Sequence, residues 1–125
     1  MSGFKFNPSH PGLRKTLREY EELALRYVWS MGEKGAASRS IHETVNSELG
    51  SDKSISRASI INIMNKLVDQ GVLAYREATG KGGYHKIYYP LMDEKGYVKY
   101  LINTMVESLM RDFPKETQEI LKKFS

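Results

Sequence analysis

The sequence predicts a mainly α-helical chain with one small β-hairpin, and three observations carry that expectation. Apolar residues recur at helical spacing in five separate stretches. After Gly71 the spacing changes to the alternation of strands, around a glycine-rich stretch. Hydrophobic content of 40% and charged content of 27% over 125 residues suit one globular domain with an appendage rather than a disordered chain.

The elements follow in order. Residues 1–15, with two prolines and two glycines in the first dozen, read as a loose, basic N-terminal arm. Thr16 and Glu19 are spaced as a capping box, and Leu17, Tyr20, Leu23, Ala24, Tyr27, Val28 and Met31 continue an apolar stripe to Gly32 and Gly35. A short helix is expected over 38–49, with Ile41, Val45 and Leu49 four apart and Gly50 as its stop. Ser56 then serves as the N-cap of a helix over 56–70. Ile55 and Ile60 are spaced as a hydrophobic staple around it, Ile60, Ile63, Met64 and Leu67 form its buried stripe, and Gly71 ends it.

Residues 72–77 read as a strand, 78–83 as a turn and 84–89 as the return strand, which Pro90 closes because it has no amide hydrogen to donate. From Asp93 a longer helix carries Tyr97, Val98, Leu101, Ile102, Met105, Val106 and Leu109. A last helix begins near Pro114, with Ile120, Leu121 and Phe124 on one side. Three helices followed by a hairpin give a winged helix-turn-helix domain over 16–90, and 91–125 is left as a C-terminal helical dimerisation segment.

This order predicts the 56–70 helix in the major groove of double-stranded DNA and the 72–89 hairpin on the phosphate backbone. At 100° per residue, Ala58, Asn62, Asn65 and Asp69 point away from the apolar stripe, flanked by Ile61 on one side and Ser59 and Lys66 on the other. Asparagine is a poor helix former, and it pairs bidentately with adenine. The expected contacts on this helix are Ser56, Arg57, Ala58, Ser59, Ile61, Asn62, Asn65 and Lys66. Arg76, Lys81, His85 and Lys86 are expected contacts on the wing, and Arg14 and Lys15 on the arm.

Charge is distributed to suit. Residues 1–18 hold four bases and no acid, residues 19–50 six acids against three bases, residues 51–90 six bases against three acids, and the remainder six of each. The positive segments are therefore the arm and the recognition-helix and hairpin region, within a formal net charge of +4. Zero cysteines exclude disulfides and thiolate metal sites. No apolar run is long enough to cross a bilayer and no signal peptide is visible, so a cytoplasmic protein is expected.

The stretches LREYEELALRYVWSMGEKG, SIHETVNSEL, ISRASIINIMNKLVDQGVLAYRE and KIYYPLMDEKGYVKYL together resemble the penicillinase-repressor (BlaI/MecI) family of bacterial and archaeal winged-helix regulators, over about residues 17 to 101. Residues 21–29 resemble that family's first helix, residues 60–71 its recognition helix, and Tyr88, Tyr89 and Pro90 the end of its wing. The resemblance implies a homodimeric repressor on a two-fold symmetric operator, paired through its C-terminal helices. Arg18 stands where the family often has a capping Ser or Thr, which moves the expected helix start to Thr16, and Ile61 occupies a position that is often basic. The copper-responsive relatives carry a C-terminal cysteine cluster that this chain lacks, and no Asn-Phe pair resembles the family's cleavage point.

The stripe of Val98, Leu101, Ile102, Met105, Val106 and Leu109 is broad enough to serve as a dimer interface in its own right. Two other regulatory readings share the scaffold. One is a MarR-type regulator with a small molecule near Tyr97, Tyr100, Met105 and Met110; the other is a protein-interaction module of the transcription or replication machinery. Catalysis is not expected. His42 and Glu43 begin a zinc-protease motif, but Asn46 stands where the second histidine belongs, and His10, His42 and His85 lie in separate segments. Gly80, Gly82 and Gly83 join two strands rather than a strand to a helix, so they are no phosphate-binding loop, and no cofactor or metal is expected.

Overall fold

Helix starts and stops set the path of the chain in a computed structural model that describes residues 5–80 and 83–125. The chain forms two units, Met1–Leu91 and Met92–Ser125. In the first, helix α1 runs over Glu19–Met31 rather than from Thr16. Thr16 is used one step earlier: its hydroxyl donates to Leu13 O at 3.4 Å and closes a 3-10 turn over Gly12–Lys15. Leu13 and Leu17 are both buried, and this is what pins the turn to the domain. The helix then starts at Arg18, whose backbone N–H donates to Glu21 Oε1 at 2.7 Å, the half of a capping box that needs no Ser or Thr.

The arm expected to be loose is folded back from residue 7. Asn7 N–H donates to Lys15 O at 2.7 Å, and Asn7 Oδ1 accepts from Ser9 N–H at 3.0 Å. Helices α2 (Ser38–Leu49) and α3 (Arg57–Asp69) lie close to the expected bounds. The end of α3 is a Schellman motif: Gly71 at φ +78° donates to Val68 O, and Val72 donates to Leu67 O. Leu67 and Val72 are both buried, as the apolar contact of that motif requires.

The core of this unit is Ala24, Leu25 and Val28 of α1, Ile41 and Val45 of α2, and Ile60, Ile63, Met64 and Leu67 of α3, joined by Val72, Leu73 and Tyr88. Each large apolar side chain buried there is worth about 1.5–3 kcal/mol. Exposed ion pairs such as Arg26–Glu22 at 2.8 Å and Lys53–Glu19 at 3.0 Å are worth about 0–1 kcal/mol each, so packing rather than surface charge holds the three helices together.

The paired strands of the hairpin are longer than expected. Strands β2 (Leu73–Gly80) and β3 (Gly83–Pro90) pair antiparallel from Leu73↔Pro90 to Gly80↔Gly83, so Ala78, Thr79, Gly80 and Gly83 of the expected turn are in the ladder. A two-residue strand, β1 (Ala36–Ala37), pairs with the other edge of β3, giving the order β1-β3-β2. Numbered in chain order, three helices and this three-stranded sheet make a winged helix. Gly35 precedes β1 at φ +73°, and a Cβ placed there would lie 2.7 Å from both Tyr88 O and Ile87 Cγ2. No side chain fits.

In the second unit, Asp93 caps α4 (Glu94–Asp112) by accepting from Gly96 N–H at 2.9 Å. Phe113 leaves helical geometry at φ −136°, and Pro114 opens α5 (Pro114–Lys123), which packs on α4.

Gly35→Ala combines left-handed backbone strain with a clash against backbone atoms, and it is expected to destabilise the protein by at least about 1–3 kcal/mol in urea unfolding. A loss within the ±0.5 kcal/mol of an ordinary surface change would mean that the β1–β3 approach is not needed.

Candidate nucleic-acid interface

The polar face of α3 is fixed at its entry by a clasp from α2. His42 and Asn46 are four apart, hence on one face. Asn46 Oδ1 accepts from Ile55 N–H at 2.8 Å, while His42 Nε2 at 2.8 Å and Asn46 Nδ2 at 3.2 Å both donate to Ile55 O. Since Nε2 carries the hydrogen that reaches Ile55 O, its 3.0 Å approach to Asn46 Nδ2 is two donors converging on one carbonyl. Both polar groups of the residue before the N-cap are thereby held. Ser56 Oγ then accepts from Ser59 N–H at 3.1 Å and starts the helix.

Beyond this clasp the expected helix contacts divide by exposure. Ser56, Arg57, Ala58 and Asn62 are exposed; Ser59, Ile61, Asn65 and Lys66 are half-buried. Arg57 Nη2 donates to Ser38 Oγ at 3.3 Å, which ties the first turns of α3 and α2 together. Asn65 does not point freely outward as its position on the helical wheel suggests: its Oδ1 accepts from Tyr88 Oη at 3.1 Å. Burial, with the neighbouring Tyr75 adding to it, raises the Tyr88 hydroxyl above its ordinary pKa, so it stays protonated as that donor.

The register of the hairpin separates the expected wing contacts. Successive strand residues face opposite sides, so Tyr75, Glu77, Tyr84, Lys86 and Tyr88 share one face while Arg76, His85, Ile87 and Tyr89 share the other. The first is the face whose Tyr88 reaches α3, and on it the Lys86 ammonium lies 4.3 Å from the centre of the Tyr75 ring. Arg76 has a structural task on the other face. Its guanidinium donates to Glu33 O at 3.1 Å and Lys34 O at 2.5 Å, and stacks over Tyr89 at 5.5 Å. Arg76 and Lys86 therefore lie on opposite faces of the hairpin. Lys81 lies outside the described residues.

The arm cations are likewise drawn inward. Lys15 Nζ donates to Pro8 O at 3.1 Å and His10 O at 2.5 Å, and Arg14 is half-buried with its Nε enclosed. Sequence reading missed Asn46, His42 and Tyr88 as positioning residues. The only signal available for the first two was their i, i+4 spacing in IHETVNSEL. Among the described residues no group of three or more His, Asp or Glu is placed to hold a metal, and no helix is long and apolar enough to cross a membrane.

Asn46→Ala strips the clasp from Ile55 N–H and is expected to lower stability by about 1–3 kcal/mol in urea unfolding. An unchanged midpoint would show that solvent replaces the amide without loss.

No curated protein matches the sequence. A family model described as the penicillinase repressor matches residues 17–124, which takes in all three helices, the wing and nearly all of the second unit. The chain, a winged helix matched over that length, belongs to the penicillinase repressor family, a family of DNA-binding transcriptional repressors.

Proposed function

We propose that this repressor acts as a homodimer on an inverted-repeat operator, with the N-terminal half of α3 in the major groove and Lys86 of the wing on a flanking phosphate. The observation that carries this reading is the exposed set Arg57, Ala58 and Asn62, presented by a helix whose entry is clasped at Ile55. Asn62 is the adenine reader, and Ala58 and Ile61 meet thymine methyl groups, so each half-site contains A·T pairs. Asn65, braced by Tyr88, sets the wall between helix and wing. Asp69 is exposed at the far end of α3, where the helix leaves the groove and its charge stays clear of phosphate.

Dimerisation falls to α4. Leu101, Met105 and Val106 are half-buried, but Val98, Ile102 and Leu109 are exposed at 37%, 57% and 48% in the single chain. Apolar residues left open along one helix are what a second copy would cover. An obligate pairing of this kind buries on the order of 2,000 Å² or more. Two recognition helices on one side of the duplex then require half-sites about one helical turn apart.

Asn62→Ala is expected to weaken binding to the preferred site by about 1–3 kcal/mol and to leave binding to unrelated DNA nearly unchanged, in titrations at one fixed salt concentration. Equal losses on the two DNAs would remove Asn62 from base reading. Lys86→Ala should lower the magnitude of the salt slope by about 0.9 per chain with base preference intact. A change of preference at constant slope would contradict the phosphate assignment.

Ile102→Glu with Met105→Glu should give monomers by light scattering, with much weaker operator binding. A dimer mass in that double variant would overturn the role given to α4.

A further inference from the structure

A groove of about 600 Å³ lies against the turn that precedes α1, between the arm and α3. Its volume is within the range of small-molecule sites. Lys5, Arg14, Lys15, Arg18 and Lys66 line it against a single carboxylate, Glu21. That balance of +4 is as large as the formal net charge of the entire chain. So much like charge around one concavity focuses positive potential into the groove.

Arg14 sharpens the case. Its Nε is buried without a hydrogen-bond partner, whereas the neighbouring Lys15 is satisfied by the carbonyls of Pro8 and His10. A guanidinium N–H enclosed without an acceptor is costly, and the group is shaped to give two parallel N–H bonds to a carboxylate or phosphate. Phe6 and Leu17 add apolar wall on the same groove.

The geometry points to this groove as the binding site of a small oxyanion carrying two or more negative charges, a phosphorylated or polycarboxylate molecule, with Arg14 as its anchor. The duplex backbone is the other source of phosphate. It meets cations on open surfaces, whereas Arg14 lines a concavity with its Nε enclosed. A ligand held here touches the arm and Lys66 of α3 at once, which gives the recognition helix a second input besides the clasp at Ile55.

The test uses the full chain without DNA, so it stands apart from the operator reading. Inorganic pyrophosphate is titrated at constant ionic strength, followed by calorimetry and by the Arg14 Nε–H resonance. Saturable binding of one pyrophosphate per chain is expected, with a shift of that resonance. Affinity should fall at least tenfold in Arg14→Gln, several-fold in Lys5→Gln, and not at all in Lys115→Gln on α5. Lys5 is exposed near the chain end, so its variant keeps the test decisive should Arg14→Gln unfold. A response that never saturates, or equal losses in all three variants, would reduce the effect to charge screening and overturn the proposal. A fall of about 0.9 in the salt slope of DNA binding for Arg14→Gln would hand the groove to the DNA backbone and overturn it equally.

Discussion

The two polar groups of Ile55 are the point on which the placement of α3 depends. Ile55 ends the linker between α2 and α3, where its N–H and C=O have no backbone partner in either helix. Asn46 and His42 supply both partners from one face of α2. The direction in which α3 leaves the linker is thereby set by α2, which is itself buried through Ile41 and Val45. A helix start held only by Ser56 would be capped yet free to swing. The base reading proposed for α3 needs side chains placed to within a fraction of an ångström, and the clasp ties their placement to core packing.

The wing is organised by a related constraint. β3 is the central strand of a three-stranded sheet, paired on one side with β1 and on the other with β2. Its Tyr88 is buried and braces Asn65 of α3, while Arg76 on the opposite face grips the carbonyls of Glu33 and Lys34. The base of the hairpin is thus anchored to the domain from both faces, and only its outer part stands exposed beside the recognition helix. That division of labour ties Arg76 to the domain and, among the described residues, places Lys86 against the Tyr75 ring on the side of α3.

The elements that could be read from the sequence are those governed by local rules. Ser56, Gly71 and Asp93 are caps whose effect is confined to a turn, and each lies where such a cap is needed. The stripe Ile60, Ile63, Met64 and Leu67 is buried because one helical face had to be. What could not be read depends on partners distant in sequence. Two alanines carry no alternation, so β1 is visible only once β3 lies beside it. Thr16 has the residue type of a helix cap, yet burial of Leu13 and Leu17 spends its hydroxyl on the preceding turn. Asn65 falls on the polar side of the helical wheel, but Tyr88 arrives from 23 residues away to hold it. Arg14 and Lys15 read as a free basic arm, because nothing in composition says that the chain folds back at Asn7.

In the proposed function α3, clasped at Ile55 and carried by a dimer, reads A·T-containing half-sites in the major groove. Selection of bound sequences from random double-stranded DNA with the full-length protein tests it most directly, since one experiment reports binding, symmetry and base preference. The expected product is an inverted repeat with A·T pairs at fixed positions in each half and half-site centres about one helical turn apart. Recovery of no preferred sequence, or of a single asymmetric site, would contradict the account.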